Sequence, residues 1–231
     1  MLSRRTLLLA GATAAIAAAC GSETKLAGRE PVDPDGSAPF KPSGAKNPPK
    51  EKVPTKLAMV GDSITLGSQP ALELVLADIG FTDVTINAET SRRIVVGGRK
   101  PMPGLDVVTF VAASDPPDLW VIELGTNDAG LYATDDEYLG LVDAILAEIP
   151  DEDPLVWMST YREDHLDGCV QFNAVLTKRL DERGNATVGD WYDQCLDTDG
   201  SILQSDGVHP DETGRLIFAD TVRQAIAARL G

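Results

Sequence analysis

Leu57-Ala58-Met59-Val60-Gly61-Asp62-Ser63-Ile64-Thr65-Leu66-Gly67 is the stretch around which the chain is organised. An apolar run ends abruptly at Gly61, and an acid and a hydroxyl follow at once. Such a run reads as a buried strand that delivers Asp62 and Ser63 to its carboxyl end, with a turn closed by Gly67. In an open α/β sheet that end is where ligands bind. A serine there is a candidate nucleophile, but its hydroxyl needs a base to take its proton and donors to hold the oxyanion that develops.

Working outward, strands alternate with helices. A helix is expected over 70–80, with Leu72, Val75, Leu76 and Ile79 at helical spacing. A short strand over 83–87 places Val84 and Ile86 on one face, and residues 88–102 read as a polar loop. A helix over 105–113 precedes a strand over 119–124 that is apolar apart from Glu123. Thr134 and Glu137 form a capping box for a helix to Ile149. Residues 155–158 make a fourth strand, 168–183 a helix, 187–189 a short fifth strand and 211–230 the closing helix. This alternation predicts a parallel sheet with helices on both faces.

Two further stretches supply the missing chemistry: Leu124-Gly125-Thr126-Asn127-Asp128 and Ser205-Asp206-Gly207-Val208-His209-Pro210. In a parallel sheet Ser63, Asn127, Asp206 and His209 all reach one edge. The three ordered blocks resemble those of the SGNH hydrolases, the GDSL-like lipases and esterases: Gly-Asp-Ser at 61–63, Gly-x-Asn-Asp at 125–128 and Asp-x-x-His at 206–209. The resemblance spans most of residues 56–231. It implies a flavodoxin-like three-layer α/β/α sandwich with a five-stranded parallel sheet ordered 2-1-3-4-5. It also implies a Ser63–His209–Asp206 triad in which His209 takes the serine proton and Asp206 holds the imidazole. Asn127 and the backbone N–H of Ser63 would serve the oxyanion. Asp62 and Asp128 would anchor their loops through backbone hydrogen bonds. The chain has two histidines, and His165 lacks an acid at the Asp-x-x-His spacing.

The family's glycine block for the oxyanion hole is not matched. The chain reads Asn87-Ala88-Glu89-Thr90-Ser91-Arg92-Arg93, which aligns Arg92 with that glycine and Ser91 beside it. A backbone N–H survives any substitution but proline, so Arg92 remains an oxyanion candidate. Its side chain is expected either to bind a substrate carboxylate or to point to solvent within a basic loop.

The first 55 residues read differently. Residues 1–20 carry Arg4-Arg5, an apolar stretch shorter than the roughly 20 residues a spanning helix needs, and small residues ending on Cys20. This is a signal peptide resembling a bacterial lipobox, with Cys20 the lipidated residue; the arginine pair also hints at twin-arginine export. Residues 21–55, rich in Pro, Gly, Lys and Asp, read as a flexible linker. The expected protein is exported and held to a membrane only through Cys20, with residues 56–231 as its catalytic domain.

Residues 1–55 hold 8 Lys/Arg and 5 Asp/Glu of the chain's 20 and 36, which leaves 12 against 31 in the domain, a net −19. So acidic a surface argues against nucleic acid and against adsorption to anionic lipid. No zinc spacing and no nucleotide-binding glycine motif is legible, so neither a metal nor a cofactor is expected. Cys169 begins the helix after the fourth strand and Cys195 follows the fifth, a placement that predicts a disulfide closing a loop of about 25 residues. The function expected is hydrolysis of carboxylic esters on small molecules, lipids or glycans. An O-acyltransferase of cell-envelope glycans with the same triad, and a non-catalytic surface binding module, are the alternatives.

Overall fold

Alternation of apolar residues along the strands sorts the core into two layers in the computed structural model, which describes residues 53–231. On β1 (Lys56–Gly61), Ala58 and Val60 face one apolar cluster while Leu57 and Met59 face the other. Strand β3 (Leu119–Glu123) sends Trp120 and Ile122 to the first cluster and Leu119 and Val121 to the second. On β4 (Leu155–Met158), Leu155 and Trp157 oppose Val156 and Met158 in the same way. Strands buried on both faces lack polar alternation and read as continuous apolar runs, which is the mark of a parallel sheet covered by helices.

The sheet is parallel throughout and ordered β2-β1-β3-β4-β5, with β2 at Asp83–Ala88 and β5 at Ala186–Gly189. Helices α2 (Gly104–Ser114), α3 (Asp135–Leu146) and α4 (Leu166–Arg183) cover one face. Helices α1 (Ser63–Asp78), α5 (Trp191–Asp197) and α6 (Glu212–Leu230) cover the other. The α/β/α sandwich and strand order expected above are therefore those observed. On the edge strand β2, Val84 and Ile86 lie together against the second cluster, as their spacing required. The chain leaves β1 toward one face and β3 toward the other, so a crevice opens at their carboxyl ends, the switch point where α/β folds bind ligands.

Several boundaries differ from the sequence reading. Helix α1 starts at Ser63, so Gly67 and Pro70 lie inside it and neither closes a turn nor begins the helix. The cap explains this: the Asp62 side chain accepts the Ile64 N–H at 2.9 Å and starts the helix directly at the strand end. Helix α3 has the expected capping box at Thr134 and Glu137, but ends at Leu146. Helix α4 begins at Leu166 after a one-turn 3-10 segment at Glu163–His165. Helix α5 was not anticipated; Trp191 anchors it edge-on against Phe218, ring centroids 5.1 Å apart. The signal segment, lipobox Cys20 and nearly all of the linker lie outside the described residues. No helix among the described residues is long and apolar enough to cross a membrane.

Candidate active site

Ser63 occupies the first turn of α1, immediately after its cap; the Ile64, Thr65 and Leu66 N–H groups of that turn are taken by Asp62 and Glu123, and the Ser63 N–H stands at the helix end. Its Oγ lies 2.9 Å from His209 Nε2, and His209 Nδ1 lies 2.8 Å from Asp206 Oδ2. The three residues expected to form the triad are thus connected by an unbroken chain of hydrogen bonds. Acid and base come from one tight turn. Asp206 Oδ1 accepts the backbone N–H groups of Val208 and His209, each at 3.0 Å. The turn is braced from outside, because Gln204 N–H donates to the His209 carbonyl at 2.8 Å and Glu163 N–H to the Gly207 carbonyl at 3.0 Å.

Electrostatics fix the proton positions. Partial burial raises the Asp206 pKa, but the His209 backbone N–H, its imidazole and the Val208 N–H outweigh that and bring it to about 2. An ionised Asp206 accepts from Nδ1–H, which assigns the neutral imidazole the tautomer whose Nε2 is free to accept the Ser63 proton. Both partners stay open to water, with 38% of the His209 side chain and 48% of the Asp206 side chain exposed.

Asn127 follows β3 across the switch point. Gly125, at φ +125°, turns the chain there, and a Cβ at that position would run into Phe172 and Thr160. The Asn127 side-chain amide donates to Asp62 Oδ2 at 2.8 Å and to the Arg92 carbonyl at 3.1 Å. Asp128 accepts the Ile94 N–H and the Arg93 guanidinium, both at 2.9 Å, so Asp62 and Asp128 tie their loops to backbone amides as anticipated.

Arg92 departs from both side-chain expectations. Only 2% exposed, it neither points to solvent nor reaches the crevice as an anion receptor. Its Nη1 donates to the carbonyls of Gly61 and Asn87 at 2.8 and 2.6 Å, its Nε to that of Met102 at 3.0 Å, and its Nη2 to Asn87 Oδ1 at 2.9 Å. Carbonyls of three segments converge there, and a guanidinium fork satisfies them together. The Arg92 N–H, expected as an oxyanion donor, meets the Glu89 carbonyl at 3.3 Å within its own turn, where Ser91 stands at φ 60°. What Arg92 gives the site is its carbonyl, which receives the Asn127 amide. The same loop contributes the partly buried Arg93, which lies over the Tyr132 ring.

The disulfide is not formed: Cys169 and Cys195 are both buried free thiols. Burial pushes the Cys169 pKa up to about 11, and burial together with Cys169 raises that of Cys195. The His165 ring lies beside Asp164 and Gly130. Among the described residues no group of three or more His, Cys, Asp or Glu is placed to hold a metal ion.

One contributor escaped the sequence reading. Glu123, 3% exposed at the end of β3, accepts at Oε2 the Thr65 hydroxyl at 2.8 Å and the N–H groups of Asp62 and Thr65 at 3.2 Å. The absence of a side chain on Gly61 makes room for this, since a Cβ there would collide with Thr65. The signal was present in the sequence as the single charge in an otherwise apolar strand.

Residues 59–216 match the model of the GDSL-like lipase/acylhydrolase family, more than half of the 231-residue chain. The chain belongs to that family. Solved structures share the fold of this acylhydrolase family member at low identity. The C-terminal catalytic domain of Streptococcus pneumoniae peptidoglycan O-acetyltransferase A, solved with a methylsulfonyl adduct, matches at TM-score 0.62 and 17% identity, covering 77% of this chain and 96% of that one. A lipase/acylhydrolase from Enterococcus faecalis matches at TM-score 0.62 and 19% identity, covering 75% and 96%. An acetyl xylan esterase variant from Geobacillus stearothermophilus matches at 0.53 and 16%, covering 76% and 94%. A sequence search of curated proteins found no match.

Proposed function

We propose that this acylhydrolase family member is an extracytoplasmic serine esterase that cleaves carboxylic acyl esters through Ser63, His209 and Asp206. The observation that carries the reading is the continuous Ser63–His209–Asp206 hydrogen-bond chain at the switch point. His209 Nε2 takes the Ser63 proton as Oγ attacks the ester carbonyl, and Asp206 stabilises the imidazolium that forms. The carbonyl oxygen becomes an oxyanion, met by the Ser63 backbone N–H at the positive end of α1 and by the Asn127 amide. Of the two Asn127 bonds, the longer one, to the Arg92 carbonyl, yields its hydrogen to the oxyanion; the Asp62 bond keeps the amide in place. Collapse expels the alcohol with the proton from His209 and leaves an acyl-Ser63 ester, which water activated by His209 hydrolyses.

A second reading keeps the triad but passes the acyl group to a glycan hydroxyl. The exposure of His209 and Asp206 favours it, because a bulky acceptor can approach the acyl-enzyme. Likeness to a peptidoglycan O-acetyltransferase domain adds support from fold alone. Export with lipidation at Cys20 rests on the charge and hydropathy pattern of residues 1–20. The test is release of acid from a chromogenic acetyl ester by wild type and Ser63→Ala, with and without an oligosaccharide acceptor. Hydrolysis lost in Ser63→Ala supports the esterase. Acetylated oligosaccharide formed faster than free acid favours transfer, and equal turnover by both proteins refutes either reading.

A further inference from the structure

Two carboxyl groups lie buried beneath the nucleophile, and the triad uses neither. Asp62 is wholly buried and Glu123 nearly so, and the two adjoin, the Asp62 N–H donating to Glu123 Oε2 at 3.2 Å. Two ionised carboxylates in contact, shielded from water, would each face both desolvation and the other's charge. Fixed positive charge does not cancel both. Arg92 is the buried cation nearby, and it also faces Glu89 at 3.5 Å. His209, in the loop between α5 and α6, acts on Asp62 through its charge. Thr65 and Asn127 complete the surroundings as neutral donors.

The contacts say which carboxyl holds the proton. Asp62 spends both oxygens as acceptors, Oδ1 on the Ile64 N–H and Oδ2 on the Asn127 amide. Glu123 gathers its donors on Oε2 alone, which leaves Oε1 to carry a hydrogen. We propose that Glu123 is a positioning residue that stays protonated at neutral pH and donates to Asp62, so that an ionised Asp62 fixes the Asn127 amide beside Ser63. Burial foremost, then the Asp62 charge, drives the Glu123 pKa well above its ordinary value. Burial also raises that of Asp62, but the Ile64 N–H, Glu123, His209 and Asn127 oppose the rise and hold it to about 6. Protonation of Asp62 on the acid side then loosens Asn127, a pH dependence separate from the titration of the base. The kinetic part of this inference rests on the esterase reading; the protonation part does not.

The experiment compares the folded protein with Glu123→Gln and Glu123→Leu. Infrared difference spectra at pH 7 between wild type and Glu123→Gln should show the carbonyl band of a protonated carboxylic acid that the variant lacks. Thermal unfolding supplies a second readout. A carboxyl whose folded pKa lies above its unfolded value stabilises fully below that unfolded value and loses the contribution as pH rises toward the folded pKa. Wild type should therefore lose Tm relative to Glu123→Gln as pH climbs from 4.5 through neutrality. In ester hydrolysis the glutamine variant keeps a donor for Asp62 and should stay within about threefold of wild-type kcat, whereas Glu123→Leu should lower kcat about 10- to 100-fold with KM little changed. A missing acid band, or a Tm gap constant with pH, overturns the protonation. A glutamine variant as impaired as the leucine variant overturns the donation to Asp62. Were no ester turned over at all, the infrared and thermal readouts would still decide the state of Glu123.

Discussion

Replacing Asp206 by asparagine changes one atom and should nearly abolish turnover. The reason lies in how the carboxylate is held. Its Oδ1 accepts two backbone N–H groups at 3.0 Å, so an asparagine must keep its carbonyl oxygen there and turn its NH2 toward His209 Nδ1. A donor now faces Nδ1, and the imidazole adopts the opposite tautomer, with its proton on Nε2 facing Ser63 Oγ. That nitrogen can no longer accept the serine proton. The cost of a wrong tautomer in a triad of this kind is about 10⁴ in kcat, or about 5 kcal/mol of transition-state stabilisation. The fold should scarcely notice. The Asp206 pKa, depressed to about 2, means a stabilising contribution present above its unfolded value and lost as pH falls through that range. Because the side chain is about half exposed, solvent screening holds this to no more than about 1 kcal/mol. Steady-state kinetics on a short-chain ester, with Tm measured on the same samples, tests the reasoning. A loss in kcat of less than tenfold with the fold intact would refute it.

Other perturbations separate the remaining roles. Asn127→Ala should lower kcat by about 10²–10³ with KM little changed, since it removes an oxyanion donor; unchanged kcat in steady-state assays contradicts that role. Arg92→Ala should destabilise the fold by about 3 kcal/mol, because it leaves the carbonyls of Gly61, Asn87 and Met102 without their buried donor. Urea unfolding measures this, and a change below about 1 kcal/mol would return Arg92 to the surface. Thiol titration of the purified domain should find Cys169 and Cys195 both reactive once denatured without reductant, and both unreactive while folded.

The sheet was legible because its strands are short apolar runs bounded by turn residues, and their alternation with helices leaves few topologies. The grouping of Ser63, His209 and Asp206 was legible through the resemblance carried by the Gly-Asp-Ser and Asp-x-x-His blocks, the first just past β1 and the second within one turn. Where α1 begins was not legible, since Gly67 and Pro70 weaken local helix propensity. The Asp62 cap and the packing of Leu72 and Leu76 in the core override it. Arg92 was misread because arginine is ordinarily exposed, and nothing local in the sequence announces that carbonyls from β1, β2 and the following loop converge on it. Glu123 stood out as a charge within an apolar strand, but its partner, Asp62, lies 61 residues earlier in the chain. Helix α5 is too short to display a helical period.

The central claim is that Ser63 is an activated nucleophile. Intact-mass analysis after treatment of the folded protein with an active-site sulfonyl fluoride tests it most directly. One adduct per chain, mapped to Ser63 and absent from Ser63→Ala, is the predicted result. A folded wild type that takes up no label, or a Ser63→Ala variant labelled equally well, would contradict the account.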